Sequence, residues 1–388
     1  MKLKHLLAWI LALVLLCGCS APVVQNSLSS DSTDNQTAPY PSDALSSSAT
    51  ASEAPGDAEP ETAGIPEKTP QPLNKPTIGF LVPDDGSLLM RCAMHGFLRT
   101  AENLNYPARL YVLSEGRTAS ELLDLALKDG CSGLLIWAGT AELEQAAKTA
   151  SAAGIPVVVP YAATTLEATG AQAILSPDPD DFCAEALRVM CEETISRGNT
   201  EGVIAVVREP GAYQEIFDAF ERAAAASYPQ FTISEQILTG SKEADTDAAR
   251  AFIKEHAEIS GVFSLSAGGA TAWYDGEIKA EAELKKEITS TPAPVNGVKQ
   301  KDPRTRTPVI MALDYTEENL SLVQNGKIYA LIARPFYTSA AQSTMVLDSI
   351  LHDAEVQQLT RVNAPVIRKK DVEKYAAIVS EVKEWFGM

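Results

Sequence analysis

Thr77-Ile78-Gly79-Phe80-Leu81-Val82 is short, apolar and free of charge. A continuous run of this length is what a strand buried on both faces requires. Behind it Leu89, Ala93, Phe97, Ala101 and Leu104 recur at helical spacing and form one apolar stripe. A buried strand followed by an amphipathic helix is the repeating unit of a parallel sheet, because the crossing helix covers the sheet face.

The same alternation continues downstream. Strands are expected over 110–113, 134–137, 155–159 and 171–175. Thr118-Ala119-Ser120-Glu121 has the form of a capping box and opens a helix ending near Gly130. Thr140 caps another that stops at Gly154. A second series begins at Asp178-Pro179, a helix cap with proline at the first helical position. Strands follow over 203–207, 231–238, 261–265, 309–313 and 328–333, with helices over 213–226, 247–258, 269–288, 317–324 and 338–351. Residues 289–307 are proline-rich and charged and read as a surface insertion. A short strand over 364–367 and an amphipathic helix over 372–386 close the chain. The pattern predicts an α/β protein of two Rossmann-like, five-strand units with parallel sheets, whose ligand cleft lies beyond the carboxyl ends of the strands. Two such units facing one another make a hinged clamp.

Upstream the composition changes. Lys2, Lys4 and His5 precede an apolar run over 6–16, too short for a bilayer span of ~20 residues and suited to a secretory signal peptide. The run ends in Leu16-Cys17-Gly18-Cys19-Ser20, which resembles a bacterial lipobox. That resemblance makes 1–18 a removed signal and Cys19 the lipidated anchor. Residues 19–75 are rich in Ser, Thr, Ala, Pro, Asp and Glu and form a tether, since so little apolar surface cannot offset the entropy of ordering.

The chain has 388 residues, with 51 Asp and Glu against 32 Lys and Arg, for a net charge of -19. That balance repels phosphate backbones and argues against nucleic-acid binding. Four cysteines remain beyond the leader: Cys92, Cys131, Cys183 and Cys191. Cys183 and Cys191 fall on one helix about 12 Å apart and cannot pair; small buried hydrophobes are the expectation for all four. The four histidines are scattered, and no metal-ligand spacing, nucleophile elbow or phosphate loop occurs. Neither a catalytic residue nor a cofactor is called for.

Several stretches, taken in order, resemble the type I periplasmic-binding proteins of the ribose-binding-like branch. They are Lys75-Pro76-Thr77-Ile78-Gly79, His95-Gly96-Phe97, Ala153-Gly154-Ile155-Pro156-Val157-Val158, Met311-Ala312-Leu313-Asp314-Tyr315 and Val323-Gln324-Asn325-Gly326-Lys327-Ile328. The resemblance implies two lobes joined by three crossings near Ser176, Pro335 and Ile367. The first lobe takes 76–176 with 335–363, the second 177–334, and 364–388 forms the last strand and helix. It also implies capture of a small polar solute, sugar-like by family, for an ABC permease, with a sensor kinase as the alternative partner.

Candidate ligand residues follow from the same resemblance. Asp314 matches the family's ligand-binding Asp, or else caps the next helix. Arg334 stands where the family has Gln and is divided between a ligand contact and an inter-lobe ion pair. Ser87 and Leu89 occupy the place of the family's Asn and aromatic pair, and Ser266 that of a second Asn. Tyr161 and Trp137 are possible stacking faces, with rim packing and core as their alternatives. Arg208 reads as a solvated loop residue within reach of the cleft; Trp273 and Tyr274 read as helix packing, with exposure to the cleft as the alternative. The family's aromatic platform is missing, so the solute departs from an ordinary pentose or hexose.

Overall fold

Six parallel strands make the first sheet. In the computed structural model these are β1 (Thr77–Pro83), β2 (Ala108–Leu113), β3 (Cys131–Ile136), β4 (Val157–Pro160), β5 (Ala173–Ser176) and, from much later in the chain, β11 (Leu359–Arg361). Their spatial order is β11-β5-β4-β3-β1-β2. The structure describes residues 75–388 apart from 84, 115, 163, 267 and 291–306. The signal segment, Cys19, the tether up to residue 74 and most of the expected insertion lie outside those residues.

The second sheet contains β6 (Gly202–Arg208), β7 (Phe231–Ile237), β8 (Ile259–Ser264), β9 (Val309–Leu313), β10 (Ala330–Ile332) and β12 (Val366–Ile367). Its order is β12-β10-β9-β8-β6-β7. Among the described residues only the β10–β12 pair is antiparallel. That exception fixes how the sheets face. The chain leaves the first sheet at the carboxyl end of β11 and enters the second without an intervening helix. It therefore runs against β10, as it must if the carboxyl ends of both sheets look toward each other. The other crossings run from β5 at Ser176 into the second lobe, and from β10 through Ala333-Arg334-Pro335 back into the first.

The expectation of five strands per unit is corrected to six. β11 has exposed Leu359 and Arg361 at its ends and no apolar run. Pairing with β5 makes it a strand, and Arg361 is tied to Asp178 and Asp181 across the crossing at 2.6 and 2.9 Å. Hydrophobic period carries no signal for such a strand.

Helices in the first lobe are α1 (Leu88–Asn103), α2 (Ala119–Lys128), α3 (Ala141–Ala152), the single turn α4 (Leu166–Thr169) and α10 (Phe336–Leu351). The second lobe has α5 (Pro179–Ser196), α6 (Gln214–Ser227), α7 (Lys242–Glu255), α8 (Gly269–Ser290) and α9 (Glu317–Gln324). The chain ends in α11 (Val372–Phe386). Their starts follow the local chemistry. Thr118 and Glu121 close a reciprocal capping box on α2. Asp178 accepts the backbone N–H groups of Asp180 and Asp181. Gly96 permits the close meeting of α1 with α10, since a Cβ there would lie 2.4 Å from the Tyr337 carbonyl oxygen. Cys92, Cys131, Cys183 and Cys191 are all buried free thiols.

Candidate functional site

The carboxyl ends of the strands carry three residues in an unusual backbone conformation. Tyr161 follows β4, Tyr213 precedes α6, and Asp314 follows β9, with φ of +47°, +59° and +65°. Left-handed backbone is uncommon outside glycine, especially for an aromatic residue, and collects at functional sites.

Asp314 is held from both sides. Its backbone N–H donates to the Ile332 carbonyl at 2.9 Å. The Asn319 side-chain amide donates to the carbonyls of Leu313 and Asp314 at 3.0 and 3.1 Å. Thr316, not Asp314, caps α9 by accepting the Asn319 N–H. The 5% exposed Asp314 is thus free to turn its carboxylate elsewhere. Oδ1 accepts the Arg334 backbone N–H at 2.9 Å. Oδ2 accepts Nε at 2.9 Å and a terminal guanidinium nitrogen at 2.6 Å. Burial alone would pull the Arg334 pKa down; the adjoining carboxylate reverses this and leaves it raised.

Aromatic rings surround the pair. The guanidinium carbon lies 5.2 Å from the Phe336 ring and 5.8 Å from that of Tyr213. Phe336 packs in turn on Trp137 and Tyr161, with centroids 4.8 and 4.9 Å apart. Burial raises the Tyr161 phenol pKa; Arg334 opposes the rise and Asp314 adds to it. At this pole of the cleft one ion pair is set among four rings.

Of the expected site residues, Asp314, Arg334, Tyr161 and Trp137 are brought together. Ser87 is occupied as the cap of α1, accepting the Met90 N–H at 3.2 Å. Leu89 is 8% exposed within the apolar core. Ser266 lies at the foot of α8, 4% exposed, with no hydrogen-bond partner for its hydroxyl among the described residues. Arg208 is not on a solvated loop. It ends β6 at 6% exposure, paired with Glu235 and donating to the Ala212 carbonyl and the Gln214 side chain. These bonds fasten the loop that delivers Tyr213. Trp273 is a core residue against Phe252.

Sequence reasoning missed two members, Tyr213 and Phe336. Phe336 directly follows the crossing at Pro335, so its place beside the hinge was readable. Nothing in the sequence marks the left-handed turn at Tyr213.

Opposed strand ends, three crossings and a polar pair ringed by aromatics define a two-lobed clamp of the kind that closes on a small solute. The family model described as periplasmic binding protein domain matches residues 78–355, and the chain belongs to that family. Its members are solute-binding proteins, not enzymes. Among solved structures the chain is similar to a sugar-binding protein of a sugar ABC transporter from Bacillus halodurans, with TM-score 0.58, 18% identity, and 77% of this chain and 99% of that one covered. AraP, an arabinose-binding protein from Geobacillus stearothermophilus, gives 0.57 and 19%, covering 77% and 98%. The XylFII-LytSN complex gives 0.51 and 16%, covering 76% and 99%. At these identities the likeness is one of fold. A search of the curated proteins finds no sequence match.

Proposed function

We propose that the protein captures a small polar, sugar-like solute between its lobes and presents it to an ABC importer, while lipidated Cys19 holds it on the outer face of the cell membrane. The observation that carries this reading is the cluster at the strand ends. Asp314 and Arg334 supply fixed acceptors and donors, and Tyr161, Tyr213 and Phe336 supply apolar faces, the mixture that small-molecule sites use. The sugar-binding neighbours support the solute class. Ser266 is a further contact, because its buried hydroxyl gains a partner when a polar solute enters. Ser87 and Leu89, engaged as cap and core, contribute the position of α1.

A second reading has its own support. Asp314 and Arg334 satisfy each other, so a solute must compete with an internal ion pair, and one structural neighbour is the XylFII-LytSN complex. On that reading lobe closure is relayed to a membrane kinase. Deleting the gene separates the two: loss of solute uptake supports import, whereas unchanged uptake with altered gene expression supports sensing. Cys19→Ser tests the anchor, since it releases the chain from the membrane fraction if Cys19 is the lipid site.

A further inference from the structure

α11 lies beyond the residues that the family model covers and touches both lobes. Val372, Val379 and Val382 fall on one face and are 5%, 2% and 0% exposed. On the first-lobe side, Glu381 meets Arg99 of α1 at 3.2 Å, and Phe386 lies under the Arg91 guanidinium at 5.2 Å. On the second-lobe side, Lys383 donates to both carboxylate oxygens of Glu317 at the start of α9, at 3.0 and 2.9 Å. Glu381 and Lys383, two residues apart, thus hold different lobes.

The helix also covers a direct contact between lobes. Tyr375 packs on Tyr315 with centroids 5.1 Å apart. Tyr315 adjoins Asp314 in the second lobe and shares a buried apolar cluster with Cys92 of α1 in the first; burial first, and the neighbouring thiol second, raise its phenol pKa. Cys92 has no exposed surface.

We infer that α11 is a strap across the lobe seam, which favours the lobe arrangement of this structure and must leave α1 or α9 before the lobes move apart. Rotation of one lobe against the other carries α1 and α9 apart, and a helix fixed to both opposes that motion. The strap therefore sets the population of the open form, and with it the apparent affinity for any solute that enters by the open form. This inference rests on the two-lobed fold alone and needs no solute.

The thiols supply the test. Peptide-resolved labelling of the full chain with a maleimide, without added solute, reads opening at Cys92, while Cys183 and Cys191 in the second-lobe core report general unfolding. Lys383→Glu turns an attraction into a repulsion on an exposed face. It should speed Cys92 labelling about five-fold, the scale of one exposed ion pair, with Cys183 and Cys191 unchanged. The double variant E317K/K383E should return Cys92 to its starting rate. A chain ending at Arg368 should label faster still at Cys92. An unchanged Cys92 rate in both Lys383→Glu and the shortened chain would overturn the strap. So would equal acceleration at all three cysteines in Lys383→Glu, which would make α11 an ordinary part of the core.

Discussion

The Asp314 carboxylate binds Arg334 twice over, through the backbone N–H at Oδ1 and through the guanidinium at Oδ2. One residue ends a second-lobe strand and the other lies in the chain crossing between lobes. The pair therefore joins the candidate solute site to the hinge, and removing either partner strands a charge in a largely dry place.

Asp314→Ala leaves the guanidinium without its carboxylate, beside the rings of Phe336 and Tyr213. Breaking a buried ion pair costs about 3–5 kcal/mol. Because the Arg334 side chain keeps 25% exposure, the loss belongs at the lower end of that range. Urea unfolding monitored by circular dichroism measures it, and a change below about 0.5 kcal/mol would mean the pair contributes little to the fold.

Phe336→Ala removes the ring that Trp137, Tyr161 and Arg334 all touch. Phe336 is 7% exposed, so truncation should cost about 3–5 kcal/mol. Phe336→Leu, which keeps most of the volume, should cost about half as much or less. Equal losses for the two variants would contradict the packing described.

Gly96→Ala places a methyl group against the Tyr337 backbone, which cannot step aside as a side chain would. α1 and α10 must separate, at a cost of about 1–3 kcal/mol. The same substitution at Gly139, where the nearest atom to an added Cβ is 3.5 Å away, should be close to neutral. Thermal melting of the two variants side by side checks the contrast.

His95 should make stability fall in acid. It has no exposed surface, and Tyr337 of α10 and Trp385 of α11 flank its ring. Burial lowers its pKa from 6.5; Glu381 and Glu102 oppose the shift, and Arg99 assists it. The folded protein therefore keeps His95 neutral where the unfolded chain has begun to bind a proton. Stability should decline as pH falls below about 6.5. His95→Gln should flatten the melting temperature between pH 7 and pH 5; an equally steep decline would assign the effect to other groups.

Much of this architecture was legible in the sequence. The apolar runs at Thr77, Leu134 and Val309 gave buried strands, and caps such as Thr118 and Asp178 gave helix starts within a residue or two. β11 was not legible, because its strand state comes from pairing with β5 and not from its own side chains. The site divided along the same line. Asp314 and Arg334 came from the resemblance to the family, which matches the first to its ligand-binding Asp at a strand end and the second to its Gln at a lobe crossing. Tyr213 depends on a left-handed turn fastened by the buried Arg208, a long-range arrangement that no local pattern records. Ser87 and Leu89 were placed by matching positions in the family, and here those positions serve the cap and core of α1.

The central claim is that the lobes close on a small polar solute at Asp314. Thermal melting of the chain lacking residues 1–18, against a panel of sugars, nucleosides, amino acids and organic acids, tests it most directly. A solute at about 100 times its dissociation constant should add ~2.7 kcal/mol of stability. One chemical class should raise the melting temperature of the unaltered protein, and Asp314→Ala should abolish that rise relative to its own unliganded baseline. A panel without any shift, or a rise that survives Asp314→Ala undiminished, would contradict the account.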